Sequence, residues 1–118
     1  MWGRGGNMSV RVWLVYLTAP TAREADRLGE LLVRERLAAC VNRLGPIRSC
    51  YTWEGRLQKS REYALLAKTT ARRWPALRRR VAAEHPYDCP CIVAWPPAAG
   101  HPAFLNWVRS AASASSRS

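Results

Sequence analysis

The sequence predicts a single α+β domain, and three observations support this prediction. A chain of 118 residues that is 48% hydrophobic is long enough to bury one core. The segment Thr21-Ala22-Arg23-Glu24 matches a helix-capping box directly before a run of apolar residues at helical spacing. Short-period apolar residues on both sides of Glu54-Gly55 indicate a β-hairpin over residues 36–70.

The first strand and the first helix follow from their apolar patterns. Residues 10–17 are largely apolar on both alternating faces, which predicts a central strand covered on both sides. The helix is predicted over residues 21–36, with Ala25, Leu28 and Leu32 on its apolar face. Gly29 costs this helix about 1 kcal/mol relative to alanine, which indicates close packing at that point.

The hairpin is predicted to project beyond the core, because it is long for so short a chain. Gly55 supplies a residue that can take a positive φ and reverse the chain direction. A projecting hairpin leaves unpaired strand edges, which a soluble protein usually covers. A second copy of the same chain would provide that cover.

The second helix is predicted from Trp74, Leu77 and Val81, which are spaced i, i+3 and i+7. Pro75 fits only the first turn, so the helix should start near residue 72 or 73. Pro86 disfavours helical geometry at the residue before it, so the helix should end by residues 84–85.

Residues 91–95 are short, apolar and flanked by prolines, which predicts a strand at a sheet edge. A last helix should open at His101-Pro102, with Phe104, Leu105 and Val108 facing inward. The order β-α-β-β-α-β plus a short C-terminal helix is the ferredoxin-like arrangement, an α+β sandwich with helices on one face of the sheet. Residues 10–110 are therefore predicted to form the one domain, between a flexible leader (residues 1–9) and a flexible tail (residues 111–118).

The strong positive charge raises the question of nucleic-acid binding. The chain has 19 Lys+Arg against 8 Asp+Glu, a formal net charge of +11. Most of the basic residues are scattered, and the one cluster consists of Arg72, Arg73, Arg78, Arg79 and Arg80. We favour a solvated face over a binding stripe and expect only weak nucleic-acid binding that disappears by physiological salt.

No membrane insertion is predicted, because the best apolar run, residues 12–17, is far below the roughly 18 residues that a spanning helix needs. The glycine-rich leader does not match a signal peptide. We therefore expect a cytoplasmic protein in which the four cysteines are reduced thiols.

Five segments together resemble the CutA divalent-cation-tolerance family, in the family's order and at its spacing over about residues 10–108. They are Thr18-Ala19-Pro20, Leu37-Ala38-Ala39-Cys40-Val41-Asn42, Tyr51-Thr52-Trp53-Glu54-Gly55, Lys68-Thr69 and His85-Pro86-Tyr87. The resemblance implies a ferredoxin-like domain forming a tight homotrimer, with the long hairpins paired across subunits. It also implies tolerance to divalent metals, above all copper, and an anchoring or trafficking role suggested for animal members.

The sequence departs from the family pattern after the second helix. The family commonly runs His-Pro-Tyr-Glu-x-Pro-Glu-Ile, whereas this chain has Cys91 in place of the second glutamate and an additional Cys89. A hard ligand has thus become a soft one. Two further positions that carry a histidine or a cysteine in some members are Glu84 and Leu17 here, so the usual copper site is incomplete.

Cys89 and Cys91 are candidate metal ligands, together with His85 or Asp88. On an extended backbone the two thiols point to one side, and thiolates prefer Cu(I) and Zn(II) to Mg(II) or Ca(II). The alternatives remain open: both cysteines would be small buried hydrophobes, and His85 would simply interact with the helix C-terminus. Cys40 and Cys50 would lie about 33 Å apart on one regular strand, so both are interpreted as packing residues.

Tyr51, Trp53 and Lys68 lie on facing arms of the predicted hairpin, and Tyr87 follows the second helix. In the family, such residues surround a cleft between subunits. An aromatic wall with one ammonium could hold a small anion or a planar ligand. The alternative is that these aromatics stabilise the trimer.

No catalytic set, phosphate-binding loop or carboxylate pair is evident, so we expect a protein that is not an enzyme and has no organic cofactor. The leading hypothesis is a homotrimeric protein that binds copper or another divalent metal in metal homeostasis. The alternative is a trimeric scaffold or sensor that resembles PII signalling proteins and binds a small ligand in the intersubunit cleft.

Overall fold

The computed structural model describes residues 10–114, which form five strands and three helices. The elements are β1 Val12–Ala19, α1 Ala22–Arg34, β2 Cys40–Arg43, β3 Ile47–Trp53, β4 Arg56–Thr70, α2 Trp74–Glu84, β5 Ile92–Trp95 and α3 Pro102–Ala111. The predicted leader and the last four residues of the predicted tail lie outside the described residues. Among the described residues, no helix combines the length and the apolar character needed to cross a membrane.

The sheet is antiparallel, with the strand order β2-β4-β1-β5. Strand β1 lies between β4 and β5, so the prediction of a central first strand is confirmed. Strand β5 pairs only with β1, which confirms the predicted edge strand. It starts at Ile92, so Cys91 belongs to the preceding loop.

One face of the sheet carries the main core, because alternate residues of a strand point to opposite sides. Val15 and Leu17 of β1 and Leu65 and Ala67 of β4 are buried there. They pack with buried residues of α1 and α2, namely Ala25, Leu28, Leu32, Leu77 and Val81. A smaller cluster at the end of the sheet holds Val12, Ala39, Val108 and Ala112, as predicted for the inward face of α3.

The predicted start of α1 is confirmed. Thr21 is the N-cap, and its side-chain oxygen accepts a hydrogen bond of 3.1 Å from the Glu24 N–H, which satisfies one of the free donors of the first turn. Gly29 is buried, and a Cβ atom at this position would lie 3.3 Å from Val41 Cγ1. This contact confirms that the glycine permits close packing of the helix against β2.

The first arm of the predicted hairpin is not one continuous strand, because it is divided into β2 and β3. Strand β2 pairs with the inner part of β4, and β3 pairs with its outer part. Between them, a Cβ atom at Gly45 would lie 3.0 Å from the Ala64 backbone nitrogen. Pro46 then lacks the N–H that a continuous ladder would require.

The turn itself is as predicted, since Glu54 and Gly55 both have positive φ, as a two-residue type I′ turn requires.

Two contacts fix the described chain at and just after the end of α3. Ala112 is buried, and the Arg36 guanidinium donates hydrogen bonds to the carbonyl oxygens of Ser110 and Ser113.

Helix α2 begins and ends where predicted, with Pro75 in its first turn and His85 as its C-cap.

Substituting Gly45 tests how closely the two parts of the arm approach β4. Gly45→Ala places a methyl group against backbone atoms, which cannot move aside, so we expect it to lower the free energy of unfolding by about 1–3 kcal/mol. Gly100→Ala is the comparison variant, because there the three nearest atoms to the new methyl group, at 2.9–3.2 Å, belong to the Leu105 side chain, which can adjust more easily than backbone. Urea denaturation of the two variants measures the difference. Equal stability of both variants would contradict the close approach.

Candidate functional site

A cavity of about 820 Å³ lies at the base of the projecting hairpin, on the sheet face opposite α1 and α2. The loop between α2 and β5 forms one wall, and the hairpin forms the other. It is lined by Tyr16, Thr18, Ser49, Cys50, Tyr51, Trp53, Gln58, Glu62, Pro86, Tyr87, Asp88, Cys89 and Cys91. The structure thus brings together three of the four residues predicted for the cleft and three of the four predicted for the metal site.

Tyr51, Trp53 and Tyr87 form the aromatic part of this cavity. Tyr51 and Trp53 share one face of β3, because they are two residues apart on a strand. All three are exposed large side chains, with Trp53 retaining 54% of its accessible surface. The three aromatic residues predicted for the cleft thus share one cavity of the single chain.

Lys68, the fourth residue predicted for the cleft, does not line this cavity. It stands opposite Cys40 in the register of β2 with β4, and its ammonium donates a hydrogen bond to Asn42 Oδ1. Six residues of extended strand separate it from Glu62, about 20 Å along β4. Burial raises the pKa of the nearby Cys40 thiol, with the Lys68 charge acting in the opposite direction.

Glu62 is the cavity residue that the sequence analysis missed. It is only 8% exposed, and its carboxylate accepts hydrogen bonds from Ser49 Oγ at 2.6 Å and from the hydroxyls of Thr18 and Tyr87, both at 3.4 Å. The signal for it was present in the sequence. Glu62 has the same parity as Ala64 and Leu66 on β4, so alternation along the strand predicts that all three side chains share one face of the sheet.

His85 is a buried residue that positions the loop after α2. Its Nε2 lies 2.6 Å from the Thr18 carbonyl oxygen, and its Nδ1 accepts the N–H of Tyr87 at 3.1 Å. Since a carbonyl oxygen can only accept, Nε2 carries the proton and donates. Both ring nitrogens are therefore occupied, and the imidazole offers no free lone pair to a metal in this arrangement.

The predicted four-residue metal site is not gathered in one place. Within residues 10–114, no three side chains of histidine, cysteine, aspartate or glutamate come close enough to hold a metal ion. Asp88, Cys89 and Cys91 nevertheless all line the cavity, and all are exposed. The alternative that the two cysteines are buried hydrophobes is therefore wrong, and the packing role expected of Cys50 fails for the same reason.

Cys91 is held in its thiol form by its surroundings. Partial burial of the side chain raises its pKa above the ordinary value, and the negative charge of Glu62 adds to this, while a hydrogen bond with Thr18 opposes it. Burial likewise raises the pKa of the Tyr87 hydroxyl, again with a contribution from Glu62. The Glu62 carboxylate therefore lies beside groups that its own charge helps to keep protonated.

The arginine cluster of α2 is partly used in contacts within the chain. Arg80 forms ion pairs with Glu35 at 2.9 Å and with Glu84 at 2.6 Å, and Arg73 donates to the Arg36 carbonyl oxygen. Fewer than the five arginines of this cluster are therefore available to contact the phosphate groups of a nucleic acid.

The fold and the cavity define the class of protein: an antiparallel α+β domain with a projecting hairpin and a side-chain-lined cavity at its base. A family model described as "CutA1 divalent ion tolerance protein" matches residues 13–111. The chain therefore belongs to the CutA1 family, as the sequence resemblance indicated.

Individual relatives agree with this assignment. The divalent-cation tolerance protein CutA of Thermus thermophilus is 44% identical over 96 residues, which cover 81% of this chain and 93% of the relative. That of Archaeoglobus fulgidus is 40% identical over 94 residues, 80% of this chain and 91% of the relative. The solved structure of CutA1 from Ehrlichia chaffeensis is 31% identical, covers 89% of this chain and 98% of its own, and superposes with a TM-score of 0.84. These relatives are named as tolerance proteins and not as enzymes.

The reactivity of Cys91 reports on the charge of Glu62. Glu62→Gln removes the negative charge that helps to raise the Cys91 pKa, so more thiolate forms at pH 8. We expect alkylation of Cys91 by iodoacetamide, followed by peptide mass mapping, to be faster in this variant than in the parent, because one of the two causes that raise the Cys91 pKa is removed. Glu30→Gln, which changes an exposed acid on α1, is the control and should leave the rate unchanged. An unchanged rate in Glu62→Gln would show that the carboxylate does not act on the thiol.

Proposed function

We propose that this protein contributes to divalent-cation tolerance by binding a copper ion as cargo, with Cys89 and Cys91 as its principal ligands and without turnover. The observation that carries the proposal is the pair of exposed thiols on either side of Pro90, on the wall of the cavity, in a chain of the CutA1 family. Soft thiolate donors favour Cu(I) over harder cations.

The surroundings of the two thiols determine which other residues can take part. Asp88 lies on the same cavity wall and supplies an oxygen donor, whereas His85 is engaged through both ring nitrogens. Because the Cys91 pKa is raised, the thiol is protonated at neutral pH, and copper must displace that proton to bind. Copper affinity should therefore rise with pH.

We also propose that the protein acts as a homotrimer in the cytoplasm, the compartment that keeps thiols reduced. An apolar part of the sheet face opposite the helices supports the assembly. Val93 and Trp95 of β5 are exposed there, and the strand register puts them beside Tyr16 and Leu14 of β1. A contiguous apolar surface of this kind marks an interface, and the projecting hairpin adds unpaired edges beside it.

The alternative function is a trimeric scaffold or sensor of the PII type, with a small ligand in the cleft. The aromatic-walled cavity of about 820 Å³ specifically favours it, since small-molecule sites are concave and mostly apolar with a few polar groups. Weak nucleic-acid binding is a less favoured third function, because Arg80 and Arg73 already have partners within the chain.

The copper site is tested by changing both thiols together. Cys89→Ser with Cys91→Ser keeps the side-chain size and removes the soft donors, so Cu(I) affinity should fall at least about tenfold, or about 1.4 kcal/mol. A competition titration against a chromogenic Cu(I) chelator measures this in reduced protein, and parent affinity should weaken as the pH falls. Cys40→Ser, outside the cavity, is the control and should bind like the parent. If the double variant binds Cu(I) as the parent does, the two cysteines are not the ligands.

The trimer is tested by two matched valine substitutions. Light scattering on the parent should give three chains per particle over a wide dilution range. Val93→Lys places a charge on the exposed sheet face and should shift the particle toward the monomer. Val33→Lys changes another exposed valine, on α1, and should stay trimeric. A monomeric parent, or a Val93→Lys variant that remains fully trimeric, would contradict the assembly through this face.

A further inference from the structure

The cavity contains a nearly buried carboxylate that has no cationic partner. Glu62 is 8% exposed, and within residues 10–114 it forms no ion pair. A charge removed from water normally requires compensation by an opposite charge or by strong hydrogen bonds. Glu62 receives only part of this compensation from the protein itself.

The two oxygens of Glu62 differ in how well they are satisfied. Oε1 accepts a short hydrogen bond of 2.6 Å from Ser49 Oγ. Oε2 accepts only from the hydroxyls of Thr18 and Tyr87, both at 3.4 Å, which is longer than the roughly 2.7–2.8 Å usual between two oxygens. Oε2 therefore retains the capacity to accept a stronger hydrogen bond from a ligand.

The charge of the cavity is opposite to that of the whole chain. The protein has 19 Lys+Arg and a formal charge of +11, yet none of the described residues that line the cavity is basic. Its carboxylate oxygens belong to Glu62 and Asp88, and within residues 10–114 no basic side chain lines it, since Lys68 lies on the inner part of β4. Of the two ligand classes considered from the sequence, a small anion and a planar ligand, the anion is thereby disfavoured.

The aromatic side chains supply the second element of recognition. Tyr51 and Trp53 stand on the hairpin wall, and Tyr87 stands on the loop wall next to Glu62. The faces of aromatic rings carry partial negative charge and attract organic cations, most strongly for tryptophan. Aromatic rings around an unpaired carboxylate are suited to a cation that also has an apolar body.

We propose that the cavity binds a small primary alkylammonium ion, whose N–H groups donate to Glu62 Oε2 and whose carbon chain lies between the hairpin aromatics and Tyr87. The ligand needs an N–H donor because Glu62 Oε2 can accept a further hydrogen bond. It needs an apolar body because the aromatic rings present their faces to the cavity. This assignment names the ligand class for the sensor alternative. It does not depend on copper binding by the cysteines.

Calorimetric titration with butylammonium chloride, in the presence of a metal chelator at neutral pH, tests the proposal. Three comparison probes each change one property. Butan-1-ol lacks the positive charge, butyrate carries a negative charge instead, and tetramethylammonium keeps the positive charge but has no N–H donor. We expect butylammonium to bind at least about tenfold more tightly than any of the three. Equal binding of butan-1-ol would overturn the proposal, because the cavity would then be an apolar slot. Equal binding of tetramethylammonium would overturn the assigned N–H contact.

Glu62→Gln keeps the shape of the side chain and removes its charge, so it should weaken butylammonium binding about tenfold or more. Glu30→Gln is the matched control and should bind like the parent. Should Glu62→Gln fail to fold, Trp53→Leu replaces a 54% exposed ring next to the hairpin turn, where the fold does not depend on it, and should weaken binding several-fold. Unchanged binding in whichever of these variants folds contradicts the proposal.

The variant with serine at both Cys89 and Cys91 separates this site from the copper site. It should lose Cu(I) affinity and keep butylammonium affinity, so that either proposal can fail without the other. Nα-acetyl-lysine methylamide presents the same butylammonium group on a peptide backbone. If it binds more tightly than butylammonium, the natural source of the cation is a lysine side chain, and if it binds more weakly, the source is a free amine.

Discussion

The structure depends above all on the alternation of side chains along β4, the one strand that pairs with β1, β2 and β3. Its fifteen residues run from the hairpin turn to the end of the sheet. Leu65 and Ala67 point into the core beneath the helices, and Glu62 points to the opposite face, where the cavity lies. Because the period is two residues, a register shift by one would put Glu62 in the core and Leu65 in the cavity. The core and the site are thus determined by the same pairing.

The loop after α2 is the second determinant of the site, and His85 holds it. Its ring links the carbonyl oxygen of Thr18 on β1 to the N–H of Tyr87, and it lies 5.0 Å from the Tyr87 ring. This arrangement brings Tyr87 to Glu62 and sets Asp88, Cys89 and Cys91 along the cavity wall. The histidine that the family pattern marks is therefore part of the framework that positions the wall.

Charge is distributed unevenly over the molecule, and the distribution follows from which acids have partners. Across α1 and α2, Arg27 and Arg80 bridge Glu24, Glu35 and Glu84, so the acids of the helical face are neutralised by neighbours. Arg80 accordingly lowers the pKa of Glu35, and Arg27 and Arg80 lower that of Glu84. On the other face, the donors to Glu62 among the described residues are all hydroxyl groups. The basic chain consequently has one acidic, aromatic cavity.

Much of the fold was accessible from local patterns, because those patterns reflect forces between near neighbours in sequence. The capping box at Thr21 and the proline positions at 75 and 86 located the helices, and the Glu54-Gly55 turn located the hairpin. The division of the hairpin arm was not predicted, because it follows from the close approach of Gly45 to the backbone of β4.

The candidate site, like the fold, was predicted in part from the sequence, and the rest was decided by the tertiary structure. The sequence by itself identified the aromatics Tyr51, Trp53 and Tyr87, and it identified the two cysteines around Pro90 as unusual for the family. Only the tertiary structure decided that Lys68 lies apart from them, that His85 uses both ring nitrogens, and that Glu62 stands among hydroxyl groups. Residue types and spacing are properties of the chain. Which side chain becomes the neighbour of which across β4 depends on strand register and loop placement, and these are fixed by contacts between residues far apart in sequence.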